Sequence, residues 1–282
     1  MKVAPLRYDV IFKKAFSNVE LFKALVKDFI GIENLKIDKV ENDKSFFPPV
    51  GKVNLKFDLF AEDKDNRIVV EVQHAHRSDT YERFLYYHLC AMMESIKSSN
   101  NYGFPLTVVT LVFFTNRMTP LAGNGVLTSS FKMKGHDTGE EVDLFGKEHK
   151  LVFVFTTYYS GSDDKHQEWM NAIDASMKGS INEEYYDNPN ILKLIEIIKE
   201  DNITPDERAQ MKEEYNRMED MEIAHAKGHA KGIQEGHAKG MQEGQEKLEK
   251  AARNLLALGS LSVEDIASVT GLSVERVKVL SA

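Results

Sequence analysis

Between Leu106 and Thr115 the chain reads LTVVTLVFFT, an uncharged run made mostly of strand formers. Such a run predicts a strand buried in the middle of a sheet. It is shorter than the roughly 18 apolar residues that cross a bilayer, and no other stretch reaches that length, so no membrane partner is expected. Leu151–Thr156 (LVFVFT) predicts a second core strand. At about 100–200 residues per domain, 282 residues allow one large domain with additions, or two domains. Hydrophobic residues at 42% and charged residues at 28% mark a globular chain. A single cysteine, Cys90, excludes an internal disulfide framework and a cysteine-based zinc finger. It lies on the apolar face of its predicted helix and reads as an inert core residue. The opening residues carry charges before any apolar core forms, so no signal peptide is expected, and the cytoplasm is the expected compartment.

Helical and strand periodicities alternate along the rest. Residues 6–30 predict helix, with Tyr8, Ile11, Phe12, Ala15 and Phe16 at helical spacing. Asp9 reads as the N-cap of residues 10–16. Ser17-Asn18-Val19-Glu20 matches a capping box, and Gly31 ends the second apolar stripe. Leu35–Asp43, Val53–Glu62 and Arg67–Gln73 alternate as strands, with Asp63–Asn66 as the turn between the last two. Phe46-Phe47-Pro48-Pro49 breaks regular structure. Ser78–Lys97 predicts a helix, and residues 116–150 read as loop-rich. Ile181–Glu200 is mostly helical, divided at Asn188-Pro189, and one long helical pattern runs from Asp206 to about Leu258. Trp169 has no assignment.

The hairpin carries the chemistry. If Asp63–Asn66 is the turn, cross-strand partners sum to 129, so Asp58 faces Glu71 and Lys56 faces Gln73. Facing Cβ atoms lie roughly 4.5–5.5 Å apart. Alternation puts Glu71 and Gln73 on one face, and the register adds Asp58 and Lys56, with Phe60 continuing the Lys56–Asp58 side of its strand. Two carboxylates this close repel and raise a pKa. A divalent cation removes the conflict, because Mg²⁺ takes one or two carboxylates together with waters and phosphate oxygens. A solvated, exposed hairpin face is the competing reading of the pair alone.

The order helix, strand, strand, strand, helix, strand frames Asp58, twelve residues, then Glu71-Val72-Gln73. This resembles the α/β, restriction-endonuclease-like PD-(D/E)XK phosphodiesterase core (αβββαβ), with Glu-x-Gln in place of Glu-x-Lys. Within it, the chain is similar to the recombination-promoting nucleases, the PD-(D/E)XK nuclease family transposases. Asp9-Val10-Ile11-Phe12-Lys13-Lys14-Ala15-Phe16 is similar to that family's D-x-x-F-K-x-x-F start. Phe57-Asp58-Leu59, Val69-Val70-Glu71-Val72-Gln73 and Arg83-Phe84-Leu85-Tyr86-Tyr87 resemble its further motifs. So does the Glu/Gly-rich C-terminal helix with Leu256-Ala257-Leu258-Gly259 and Ser262-Val263-Glu264-Asp265-Ile266-Ala267.

The resemblance implies a metal-dependent DNA endonuclease tied to recombination or mobile elements. Asp58 and Glu71 would hold Mg²⁺, or another divalent cation such as Mn²⁺ or Ca²⁺. Gln73 would stand at the superfamily's lysine position, where it carries no charge and donates no titratable proton. Lys56, facing it on this register, would supply the missing charge. Asp9 would lie near the active face, and Arg83 would reach a phosphate or form a surface salt bridge. His74 and His76 read as a solvated loop after the strand. The alternative reading is a catalytically decayed scaffold that binds DNA or protein and self-associates through its tail.

Three segments are expected: a nuclease-like domain over 1–200, a long glycine-repeat helix over 201–258 and a small helix-turn-helix-like pair over 259–282. Residues 221–282 hold eight basic and eight acidic residues, so the whole net charge of −8 lies in the first 220. That balance gives no general support to nucleic-acid binding, and a DNA site must be local or use metal ions. Gly228, Gly232, Gly236, Gly240 and Gly244 recur every four residues and drift slowly around a helix. They predict close approach of another helix, hence a homo-oligomer. His225 and His229 lie four apart in this repeat, and His237 eight further on, with no obvious third metal ligand. Residues 261–280 have helix-turn-helix rhythm. Their second helix opens Ser273-Val274-Glu275-Arg276, which fits a packing module better than a DNA reader.

Overall fold

The structure, a computed structural model, describes residues 1–46, 55–74, 80–96, 103–116, 125–144, 146–158 and 165–281. The chain divides into two compact units, Met1–Tyr215 and Asn216–Ala282.

The first unit is built on a six-stranded mixed sheet. Its strands are β1 (Glu41–Phe46), β2 (Leu55–Glu62), β3 (Asn66–Gln73), β4 (Thr107–Phe114), β5 (Val126–Ser130) and β8 (Lys150–Phe155), in the spatial order β1-β2-β3-β4-β8-β5. A small ribbon of β6 (Met133–Lys134) and β7 (Glu141–Val142) stands apart. The uncharged run becomes β4, parallel to both neighbours, β3 and β8. Its side chains alternate strictly. Val109, Leu111 and Phe113 enter the core under helices α1 (Asp9–Phe16), α2 (Val19–Ile30), α4 (Lys165–Ser176) and α5 (Pro189–Ile198). Val108, Val112 and Phe114 pack on the opposite face, where α3 (Thr80–Glu94) contributes Phe84, Ala91 and Met92. Both faces are covered, which is why no polar alternation was needed in this run.

Several local readings change. The strand predicted over Leu35–Asp43 lies at Glu41–Phe46 instead. Leu35 and Ile37 are buried, but in an irregular segment. The Lys36 N–H donates to Asp63 Oδ2 at 2.9 Å, so the hairpin turn holds this segment and no strand pairs with it there. The capping box at Ser17–Glu20 does not form. Asn18 accepts from the Leu21 N–H at 3.2 Å, while the Ser17 hydroxyl donates to Lys13 O and Asn42 Oδ1. Tyr8, not Asp9, is the N-cap of α1. The loop-rich stretch contains β5, an edge strand whose partner is β8 and which has little apolar pattern of its own. Before α5, residues Glu183–Tyr185 form only a 3-10 turn, and Asn188 caps the helix ahead of Pro189. Trp169 is fully buried, and its indole donates to Asp28 Oδ2 at 2.8 Å, joining α4 to α2. Residues 47–54 and His76 lie outside the described residues.

Helix α6 (Pro205–Leu258) begins in the first unit. There Glu207 pairs with Lys14 at 2.8 Å, and Glu214 accepts the Asp9 N–H at 3.0 Å. In the second unit, α7 (Val263–Thr270) and α8 (Val274–Leu280) pack on the end of α6 through Ala252, Ile266, Ala267, Leu272 and Val277. Ser262 closes a capping box with Asp265, and Gly271 ends α7 at φ 70°. Arg276 donates to Glu249 at 2.6 and 2.8 Å, so the one basic group in the first turn of α8 is engaged inside the unit. At each of the five repeat glycines, no described atom lies within 4 Å of an added Cβ. The close approach predicted for them is not made within the described chain. No helix among the described residues is long and apolar enough to cross a membrane.

On the α3 face two histidines sit in the core. His88 is completely buried, within 2.9 Å of Thr110 Oγ1 and stacked on Phe131. His149 Nδ1 accepts the Val108 N–H at 3.0 Å. Burial, then the neighbouring His149, pushes His88 down to about 4. A buried neutral histidine with a lowered pKa leaves the unfolded chain binding more protons between the two values. Stability is therefore lost as pH falls from about 6.5 towards 4. Replacing His88 by Leu should flatten that part of a thermal-denaturation pH series. An unchanged slope would show that His88 does not contribute.

Candidate active site

The hairpin forms in the predicted register. Asp63 Oδ1 accepts the N–H groups of Asp65 and Asn66 at 2.9 and 2.7 Å, fixing the turn. Glu62 then pairs with Arg67, Ala61 with Ile68, Phe60 with Val69 and Leu59 with Val70. The paired ladder stops there, and side chains take over. The Asp58 N–H donates to Glu71 Oε1 at 3.1 Å, and the Val72 N–H donates to Asp58 Oδ2 at 3.0 Å. Each carboxylate thus caps a backbone amide of the other strand, which holds the two acids side by side.

The side-chain alternation of β2 shifts at this point. Phe57 and Phe60 pack in the same cluster on the α3 face, whereas Leu59 joins the core under α1 and α2. The predicted common face for Lys56, Asp58 and Phe60 is therefore not kept. β1 is irregular beside the same point. Its pairs with β2 run Asn42–Leu59 and Lys44–Phe57, and Asp43 between them takes φ 57°. It is the one positive φ outside glycine among the described residues. Aspartate tolerates this left-handed conformation better than most residues.

Asp43 faces a buried cation to which the pattern of residues assigned no role. The Lys13 ammonium lies 2.5 Å from Asp43 Oδ1, 2.6 Å from Asp9 Oδ2 and 3.8 Å from Asp58 Oδ1. Lys13 is only 9% exposed. Burial pulls its pKa down, but the bonds to Asp43 and Asp9 outweigh that and raise it. The signal was present: a lysine four residues after Asp9, inside an otherwise apolar helix face.

Lys56 takes a different place from the predicted one. It pairs with Ser45 across β1, is well exposed, and its ammonium lies 3.0 Å from Asp43 Oδ1. The β2–β3 ladder ends before it could face Gln73. What meets Gln73 is Arg83 of α3, whose Nη2 donates to Gln73 Oε1. Arg83 is thus neither a surface salt bridge nor turned to open solvent. His74 Nδ1 lies 3.0 Å from Thr115 Oγ1, so it is tied to the end of β4 rather than free in a loop. His225, His229 and His237 lie on the exposed face of α6.

Both central carboxyls resist ionisation. Burial, then the charge of Asp9, pushes Asp58 up to about 6, against the Val72 N–H and Lys13. Burial, then Asp58, pushes Glu71 well above the usual carboxylate range, against the Asp58 N–H and Arg83. Desolvation dominates in each case.

Among the described residues no three His, Cys, Asp or Glu side chains form a complete metal cluster. The pair nevertheless fits a hard cation. Each acid's bond to the opposite strand engages one oxygen, and among the described residues Asp58 Oδ1 and Glu71 Oε2 accept no hydrogen bond. Asp9 Oδ1 is also buried without a hydrogen-bond partner. Two carboxylates, with waters completing the shell, are a usual donor set for Mg²⁺.

The family model of the PD-(D/E)XK nuclease family transposases matches residues 6–228. The chain belongs to this family. No curated protein matches it. The matched span runs from just before α1 into α6 and includes both carboxylate strands; α7 and α8 lie outside it.

A carboxyl whose folded pKa is raised destabilises the fold increasingly as pH climbs from the ordinary carboxylate range through the raised value. Glu71→Gln keeps an acceptor for the Asp58 N–H and removes the repelling charge. In EDTA the variant should melt higher than wild type at about pH 8, by roughly 2–4 °C, with the gain shrinking towards about pH 4. Equal melting at the higher pH would mean that the two acids do not destabilise each other.

Proposed function

We propose that the chain is a divalent-metal-dependent DNA endonuclease that hydrolyses phosphodiester bonds, acting in recombination or transposition. The observation that carries this reading is the mutually capped Asp58–Glu71 pair, in which the bond to the opposite strand engages only one oxygen of each acid. Family membership supports a nuclease. The order α1, α2, β1, β2, β3, α3, β4 supports a restriction-endonuclease-like core.

Asp58 and Glu71 would hold the cation, with Mg²⁺ as the first candidate. A bound ion of this kind polarises the scissile phosphate and lowers the pKa of a water. Lys13 pairs with both Asp9 and Asp43 and places positive charge 3.8 Å from Asp58. Gln73 serves as a neutral hydrogen-bonding group beside Glu71. Lys56, whose side chain is well exposed, would add positive potential for an approaching phosphate. In a chain of net charge −8, affinity for DNA would come from such local cations and from the metal.

The test is plasmid cleavage at low salt with Mg²⁺, Mn²⁺, Ca²⁺ or EDTA, because phosphate contacts weaken as salt rises. Wild type should cleave with metal and not in EDTA. Asp58→Ala and Glu71→Ala, shown folded by circular dichroism, should each lose at least about 10²-fold in rate. No cleavage by folded wild type with any of the ions would overturn the reading and favour a nuclease-like binding scaffold.

A further inference from the structure

Gln73 and Arg83 together contain information about the reaction that neither carries alone. Gln73 follows Glu71 by two residues in β3, so both lie on the same face of the strand. Gln73 is almost fully buried, and Arg83 reaches it from α3. The guanidinium carbon lies 4.6 Å from the Phe84 ring centroid and 5.8 Å from that of Tyr87. These rings restrain the guanidinium from the side and favour its charge.

A guanidinium carries only N–H donors. The atom of the Gln73 amide that meets it must therefore be the oxygen. The two ends of a glutamine amide are otherwise hard to tell apart, but here the chemistry of the partner fixes them. With Oε1 on Arg83, the Gln73 NH₂ group is turned away from the guanidinium. Arg83 also places a positive charge near Glu71, where it favours the ionised carboxylate. A lysine at position 73 would set its ammonium against that guanidinium. Arg83 and Gln73 thus divide between them what one lysine would combine: a fixed positive charge and an N–H donor.

We propose that Arg83 is a positioning residue for phosphodiester hydrolysis, orienting the Gln73 amide as an N–H donor and holding positive charge beside Glu71. The inference rests on the nuclease reading given above. The role of the amide is to donate to a phosphate oxygen or to the attacking water, and Arg83 acts through it without touching the substrate.

The test compares full-length wild type, Arg83→Met, Gln73→Lys and the double variant Arg83→Met/Gln73→Lys. Steady-state cleavage of a DNA duplex in Mn²⁺ gives kcat and KM, Mn²⁺ titration calorimetry gives metal affinity, and thermal melting checks the fold. Arg83→Met should lose about 10²-fold in kcat. Its KM and Mn²⁺ affinity should stay within about threefold of wild type. Gln73→Lys alone should be similarly impaired. The double variant, with one cation restored and no clash, should recover to within about tenfold of wild type. If Arg83→Met does not fold, Arg83→Lys takes its place, with an expected kcat loss of about tenfold because the fork is lost and the charge is kept. Full kcat in the Arg83 variant, or a folded double variant no better than the singles, would overturn the positioning role alone. No cleavage by wild type would overturn the nuclease reading and this role with it.

Discussion

Two acids in adjacent strands would normally drive those strands apart. Here Asp58 and Glu71 are each bound to a backbone amide of the other's strand, and their repulsion is opposed by the hydrogen bonds that bring them together. The rest of the first unit serves this arrangement. β4 gives β3 a rigid, fully covered neighbour. α1 brings Lys13 to the Asp58 side, and α3 brings Arg83 to the Glu71 side. One cation per acid is too little to make both carboxyls ordinary, since desolvation is the larger effect on each. The two acids are thus left with their charges only partly compensated.

The distortion that makes this geometry possible is small and local. Asp43 is left-handed beside the point where the side-chain phase of β2 shifts, between Phe57 and Leu59, and the pairing register of the two strands is unchanged. The shift comes at Asp58, between side chains packed on opposite faces of the sheet. Asp43 also gathers two ammonium groups, Lys13 at 2.5 Å and Lys56 at 3.0 Å, which lower its own pKa against the effect of burial. Backbone strain and charge are concentrated in the same residue.

The features set by local pattern were readable from the sequence. An uncharged run of strand formers had to be an interior strand, and an Asp-Lys-Asp-Asn turn fixed a register that brings Asp58 to Glu71. The features set by distant partners were not readable. Nothing near Leu35 and Ile37 announces that Asp63 will hold their segment out of the sheet. Nothing near Trp169 announces Asp28. The positive charge beside Gln73 was sought on the paired strand, at Lys56, because strand registers can be counted. Helix α3 supplies it instead, and the position of a helix over a sheet cannot be counted from residue numbers. Lys13 was visible as a charge on an apolar helix face, but helical periodicity alone does not say which carboxylates such a face will meet.

The first turns of α6 reach back to α1, where Glu207 pairs with Lys14 and Glu214 accepts the Asp9 N–H. The backbone amide at the entrance of α1 is thus satisfied by a residue more than two hundred positions away in the chain. A shortened protein ending near residue 200 would keep every strand of the sheet and both central acids, yet leave Lys14 and the Asp9 N–H without these partners. The first unit therefore includes the opening of the long helix, and a gene trimmed for crystallisation or for engineering keeps these partners when cut beyond Tyr215.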